Sequence, residues 1–209
     1  MNENNASPEE IKAYLKKDPI LFEAIERNEL LVHPELTTDI YKALLESIVS
    51  QQLSTKVARI IWNRFVDLFD QRYPDPQSLL AMEHQTLRAI GLSNSKANYV
   101  RNVAAFNESH SLAFDHLEGM KDDEVIQHLT QIKGVGPWTV QMILMFPMDR
   151  PDVFPVGDLG IQNTMKSLYG LDLEKKKLLP ALEQIAESWS PFKTTASKYI
   201  WKIGDGGGI

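Results

Sequence analysis

The chain has no cysteine among its 209 residues, which excludes disulfides, thiolate metal ligands and a Cys-held iron–sulfur cluster. It also lacks an excess of positive charge. Lys and Arg number 22 against 28 Asp and Glu, giving a net charge of -6 and an isoelectric point near 5.4. A polyanionic partner would therefore have to be held locally, by backbone amides at helix N-termini and a few Lys or Arg. Weak, salt-sensitive binding to such a partner is the most the chain's charge should support. No apolar window has the length that spans a bilayer, and Met1-Asn-Glu-Asn-Asn5 lacks both parts of a signal peptide. A cytoplasmic protein with no membrane role is expected, and a monomer. The histidines His33, His84, His110, His116 and His128 are scattered without paired metal-ligand spacing. No run alternates apolar and polar residues over the length of a strand, so the expected fold class is all-α.

What is present is a succession of capped helices. Ser7-Pro-Glu-Glu10 reads as a capping box, and Asp18-Pro19 starts a second helix. His33 to Asp39 reads as a loop ending in a cap. Ile40, Leu44, Leu45, Ile48 and Val49 recur at helical spacing. Gln51 and Gln52 mark a break, after which Ser54 should cap a helix with Val57, Ile60, Ile61, Phe65 and Leu68 on its buried stripe. Gly91 should end a helix, and another should run from Ser93 to about Phe106. Lys96, Arg101 and Lys56 read as a solvated face with phosphate contact as the alternative. Asp122-Asp-Glu124 opens a helix with acids at its positive end. Further helices should end at Leu168, span Glu174 to Ser188, and run from about Phe192 to Ile203. The tail Gly204-Asp-Gly-Gly-Gly208 should be disordered.

The densest signal lies from Leu129 to Leu159. Ile132-Lys-Gly-Val-Gly-Pro-Trp-Thr139 describes a helix end, a tight hairpin and a second helix opening at Pro137. Gly134 and Gly136 permit positive φ and the close approach of a foreign backbone, while the next helix leaves its first N–H groups pointing outward, which suits a phosphate. Downstream, Asp158 follows a Phe-Pro-Val-Gly turn at the expected N-cap of another helix. Capping alone would account for an aspartate there. Trp138 and Gln52 likewise have plain structural readings, as a core tryptophan and a solvated junction.

These segments, Leu45-Glu-Ser-Ile-Val-Ser-Gln-Gln-Leu-Ser54, Ile132 to Thr139 and Phe154-Pro-Val-Gly-Asp-Leu-Gly160, resemble the helix-hairpin-helix superfamily of DNA glycosylases, and within it the 3-methyladenine DNA glycosylase II group. The resemblance implies two helical lobes around a cleft, residues 1–43 with 149–209 and residues 44–148, the hairpin motif lying at about 124–147. It implies Asp158 as the catalytic carboxylate facing the cleft, and Trp138 and Phe192 as walls of the base pocket, with Trp189 and Trp201 in the core. Gln52 would enter the gap left by an extruded nucleotide, and Gly134, Gly136 and Lys133 would meet DNA phosphate. Carbonyls of Thr130, Ile132 and Gly134 would hold one structural K⁺ or Na⁺; the chemistry would require no cofactor.

The implied activity is hydrolysis of the N-glycosidic bond of a flipped-out alkylated purine, of the 3-methyladenine or 7-methylguanine type, in double-stranded DNA. Bifunctional relatives carry a nucleophilic lysine two residues after the second hairpin glycine. Here that position is Trp138, which implies no lyase activity. The alternatives are a glycosylase for deaminated purines and a non-catalytic helix-hairpin-helix module. The sequence departs from the family pattern at Lys133, Gly157 and Gln162, where proline, a second aspartate and a basic residue are common.

Overall fold

The computed structural model describes residues 6–27 and 37–204. The expected loop from His33 lies outside the described residues as far as Leu36, as does the tail beyond Gly204. Among the described residues the structure is helical, with no strand. None of their helices is long and apolar enough to cross a membrane.

The chain divides into two compact units, Met1–Glu35 with Leu144–Ile209, and Leu36–Ile143. Helices α1 (Pro8–Leu15) and α2 (Pro19–Glu26) belong to the first. The second holds α3 (Ile40–Ser50), α4 (Thr55–Val66), α5 (Pro76–Ala81), α6 (His84–Ala89), α7 (Asn94–Ser109), α8 (Phe114–Glu118) and α9 (Asp122–Leu129). Helix α10 (Pro137–Met145) returns the chain to the first unit, which continues with α11 (Leu159–Leu168), α12 (Lys175–Glu187) and α13 (Lys193–Gly204).

Local chemistry explains several of the starts. Glu10 N–H donates to Ser7 Oγ at 3.2 Å and Ser7 N–H to Glu10 Oε2 at 2.8 Å, closing the expected box. Asp18, Asp39, Asp75 and Ser93 each accept the amide three residues on. Ser54 departs from expectation: it occupies the N-cap of α4 but its side chain makes no capping hydrogen bond. The short α8 has no strong cap or periodic stripe by which sequence could announce it.

In the first unit, Leu15, Leu21, Ile25, Ile161, Met165, Leu182, Trp189 and Ile200 share one core. Each such side chain contributes roughly 1.5–3 kcal/mol by leaving water. Asp18 is buried there with its polar valences met: Oδ1 takes the Leu21 amide, and Oδ2 takes the Tyr169 hydroxyl at 2.6 Å and the Trp189 indole N–H at 2.9 Å. In the second unit α3 packs on α4 and α7, with Leu44, Leu45, Ile48 and Val49 fully buried.

The expected buried stripe of α4 is corrected. Ile61 and Phe65 are buried, but Val57 is 41% and Ile60 43% exposed, and Leu68 is only half-buried. At Gly91 (φ 109°) an added Cβ would lie 2.6 Å from Ile61 Cδ1, so the glycine leaves room for that buried edge.

Candidate functional site

In the second unit the hairpin joins α9 to α10. The chain turns through Val135 N–H donating to the Ile132 carbonyl at 2.9 Å, and α10 begins with Val140 N–H on the Gly136 carbonyl at 3.1 Å. Its two glycines are not equivalent. Gly134 has φ 108°, and an added Cβ would overlap the Cβ and ring of Tyr99. Gly136 is not in the positive-φ region, and an added Cβ there meets nothing within 4 Å. Of the two roles expected of both glycines, positive φ is used at Gly134 and not at Gly136, where the backbone instead leaves the outer surface open to close approach. Gly136, Pro137, Trp138 and Lys133 are all exposed.

The α3–α4 junction is fastened to this hairpin. Gln51 Nε2 donates to the Gly134 carbonyl at 3.4 Å and to Thr139 Oγ1 at 3.5 Å, Thr139 being buried. Lys96 is no solvated residue: its Nζ donates to the carbonyls of Val49, at 2.8 Å, and Gln51, at 2.5 Å, at the end of α3. Burial pushes its pKa down. Arg101 similarly holds the carbonyls of Met82 and Leu80. Lys56 remains on the exposed face of α4. Gln52 follows in a left-handed conformation, φ 57°, with its side chain exposed. Gln52, Leu53 and Trp138 line a cavity of about 540 Å³ with Gln51, Gly136 and Thr139.

The first unit carries Asp158. It is the N-cap of α11, and its Oδ1 accepts the Ile161 amide at 2.9 Å and the Trp201 indole N–H at 2.9 Å. Trp201 was expected in the core; it is half-buried and bound to the carboxylate. A Cβ at Gly160 would come within 3.0 Å of that same Oδ1. Phe146 stacks on Trp201, centroids 6.1 Å apart, and Lys198 Nζ lies 5.4 Å from the Phe146 centroid. Burial lowers the Lys198 pKa, opposed by Asp149.

Phe192 is a correction. It is 1% exposed and edge-on to Tyr14, so it offers no face to a base. Proximity to Asp158 would have pointed to Trp201, but those residues stand 43 positions apart in sequence. No single-sequence pattern joins them.

Among the described residues no cluster of His, Asp or Glu could hold a metal. The hairpin carbonyls are a different kind of donor. Those of Ile132 and Gly134 accept Val135 N–H and Gln51 Nε2 respectively, and a carbonyl oxygen has two lone pairs. Neutral oxygens of this kind fit a monovalent cation.

Helix, glycine hairpin, helix and a following N-cap aspartate define the helix-hairpin-helix class of all-α proteins. The model of the HhH-GPD superfamily of base excision DNA repair proteins matches residues 45–191, and the chain belongs to that superfamily, in the 3-methyladenine DNA glycosylase group. A DNA-3-methyladenine glycosidase from Bacillus halodurans has the same fold at TM-score 0.80 and 38% identity, covering 96% of this chain and 90% of that one. A Schizosaccharomyces pombe 3-methyladenine DNA glycosylase, solved with abasic DNA, matches at TM-score 0.85 and 28% identity, over 95% of this chain and 98% of its own. A Bacillus subtilis relative, itself only provisionally named a DNA-3-methyladenine glycosylase, is 32% identical over 173 residues. These make up 80% of this chain, which spans 60% of that relative's length.

Proposed function

We propose that this protein is a monofunctional DNA glycosylase of base excision repair that removes alkylated purines, of the 3-methyladenine and 7-methylguanine type, from duplex DNA. The observation that carries the reading is the Asp158 carboxylate, fixed through Oδ1 by a helix amide and an indole N–H, both at 2.9 Å. A purely capping aspartate needs the amide alone.

Breaking the N-glycosidic bond develops positive charge on the sugar. A pre-oriented carboxylate stabilises that charge and orients or deprotonates the attacking water. The electron pair of the broken bond leaves on the base, and the water oxygen ends on C1′. Alkylation at N3 or N7 makes the base cationic, which weakens the bond and suits an aromatic face. Stacking and cation–π attraction contribute ~1 to 2 kcal/mol per face. Trp138, 40% exposed, is the pocket aromatic this reading uses.

DNA would be held by the outward amides of the hairpin around Gly134 and Gly136, with Lys133 beside them and Gln52 filling the gap left by the flipped nucleotide. A K⁺ or Na⁺ on the carbonyls of Thr130, Ile132 and Gly134 would reinforce the hairpin's attraction for phosphate. Trp138 has no amine, and Lys133 stands before Gly134, on the other side of the hairpin. The strand should therefore be left intact, with an abasic site.

The test is incubation with methylated duplex and chromatography of released bases. Methylpurines should appear with an uncut strand, and Asp158→Asn should lower the single-turnover rate by several orders of magnitude with duplex affinity nearly unchanged. Full turnover by a folded Asn variant would refute the assignment. Release of hypoxanthine but no methylpurine would move the substrate class.

A further inference from the structure

The loop that delivers Asp158 is held at both ends by buried polar side chains. At its start, the Thr194 hydroxyl donates to the Arg150 carbonyl at 2.6 Å and accepts the Val153 amide at 3.0 Å. The Thr194 amide donates to the Pro151 carbonyl at 2.9 Å. Asp152 is tied beside it by the Ser190 hydroxyl at 2.7 Å. At its end stands Gln162. Its Nε2 donates to the Val156 carbonyl at 2.8 Å, while its backbone N–H donates to the Asp158 carbonyl at 3.0 Å.

Gln162 thus spans the turn from both sides of Gly157. That glycine supplies no restraint of its own, since an added Cβ meets nothing within 4 Å. Gln162 is only 7% exposed, on a helix face shared with Ile161 and Met165. An apolar side chain would fill such a place without the desolvation cost of a carboxamide. The hydrogen bond that offsets this cost goes to a carbonyl two residues before Asp158.

We propose that Gln162 is a positioning residue for Asp158: its carboxamide fixes the Pro155–Asp158 turn and so sets where the carboxylate stands. The proposal rests on Asp158 being the catalytic carboxylate. It concerns orientation, so its loss should appear in the chemical step and spare DNA binding. A displacement of about 1 Å is enough to cost up to roughly 100-fold in rate.

Gln162→Met keeps length and apolar volume and removes the donor. Its single-turnover rate of methylpurine release should fall at least tenfold, with affinity for a duplex containing an abasic-site analogue within about twofold of wild type. Gln162→Glu gives a second readout and serves where the Met variant fails to fold. Its ionised carboxylate repels the Val156 carbonyl, whereas the protonated acid donates to it, so its rate relative to wild type should rise as pH falls. A Met variant with wild-type rate, or a Glu variant whose ratio to wild type is flat with pH, overturns the proposal. Asp158→Asn measured alongside separates the two ideas. An active Asn variant removes the catalytic reading itself, while an inactive one beside a fully active Gln162→Met removes only the positioning role.

Discussion

Gly134 and Gly136 look alike in sequence and do different work. At Gly134 a side chain would have to adopt φ 108° and displace Tyr99 at its root. Gly134→Ala should therefore destabilise the fold by roughly 2 to 4 kcal/mol, from backbone strain and overpacking together. At Gly136 there is open space and ordinary backbone. Gly136→Val should leave the melting temperature within a few degrees yet weaken duplex binding, because its branches stand where a phosphate would approach the amides. Thermal melts and fluorescence anisotropy on the two variants check both halves. A Gly136 variant with unchanged affinity would remove the phosphate-gripping role, whatever Gly134 does.

Helix α4 shows what periodicity can and cannot tell. Its apolar spacing correctly marks an amphipathic helix, with Ile61 and Phe65 inward. It does not say how wide the covered face is, because that depends on which neighbours arrive, and here Val57 and Ile60 stay partly exposed at its edge. Substitution can read the difference one residue apart. Ile60→Lys should change unfolding free energy by no more than about 0.5 kcal/mol, whereas Ile61→Lys, burying an unpaired ammonium, should cost about 3 kcal/mol or more. Urea denaturation of both variants decides it, and equal losses would mean that the helix is rotated from this register. The same limit governed the site. Caps such as Ser7, Asp18, Asp39 and Asp158 are legible because donor and acceptor lie three residues apart. The Trp201–Asp158 pair, the burial of Phe192 and the Gln162–Val156 clamp depend on how helices pack and loops turn, which spacing does not encode.

At the scale of the whole molecule, a net charge of -6 must be reconciled with a polyanionic partner. Several basic residues are already engaged within the protein: Lys96 and Arg101 on backbone carbonyls, Arg72 on Asp67, and Lys193 on Glu187. The contact proposed for the hairpin rests on amides, which carry no formal charge, with Lys133 as the cation beside them. For B-DNA each neutralised phosphate contributes about -0.9 to the slope of log K against log salt. With two or three phosphates met by cations, the expected slope for an abasic-analogue duplex is about -2 to -3. Lys133→Ala should make it shallower by about one, while Gly136→Val should lower affinity without changing it, since a neutral amide contact releases no counterion. Anisotropy titrations across a series of KCl concentrations measure all three slopes. A wild-type slope steeper than about -5 would reveal a distributed cationic surface. A Lys133→Ala slope equal to wild type would take that lysine off the phosphate and leave the hairpin to bind through its amides.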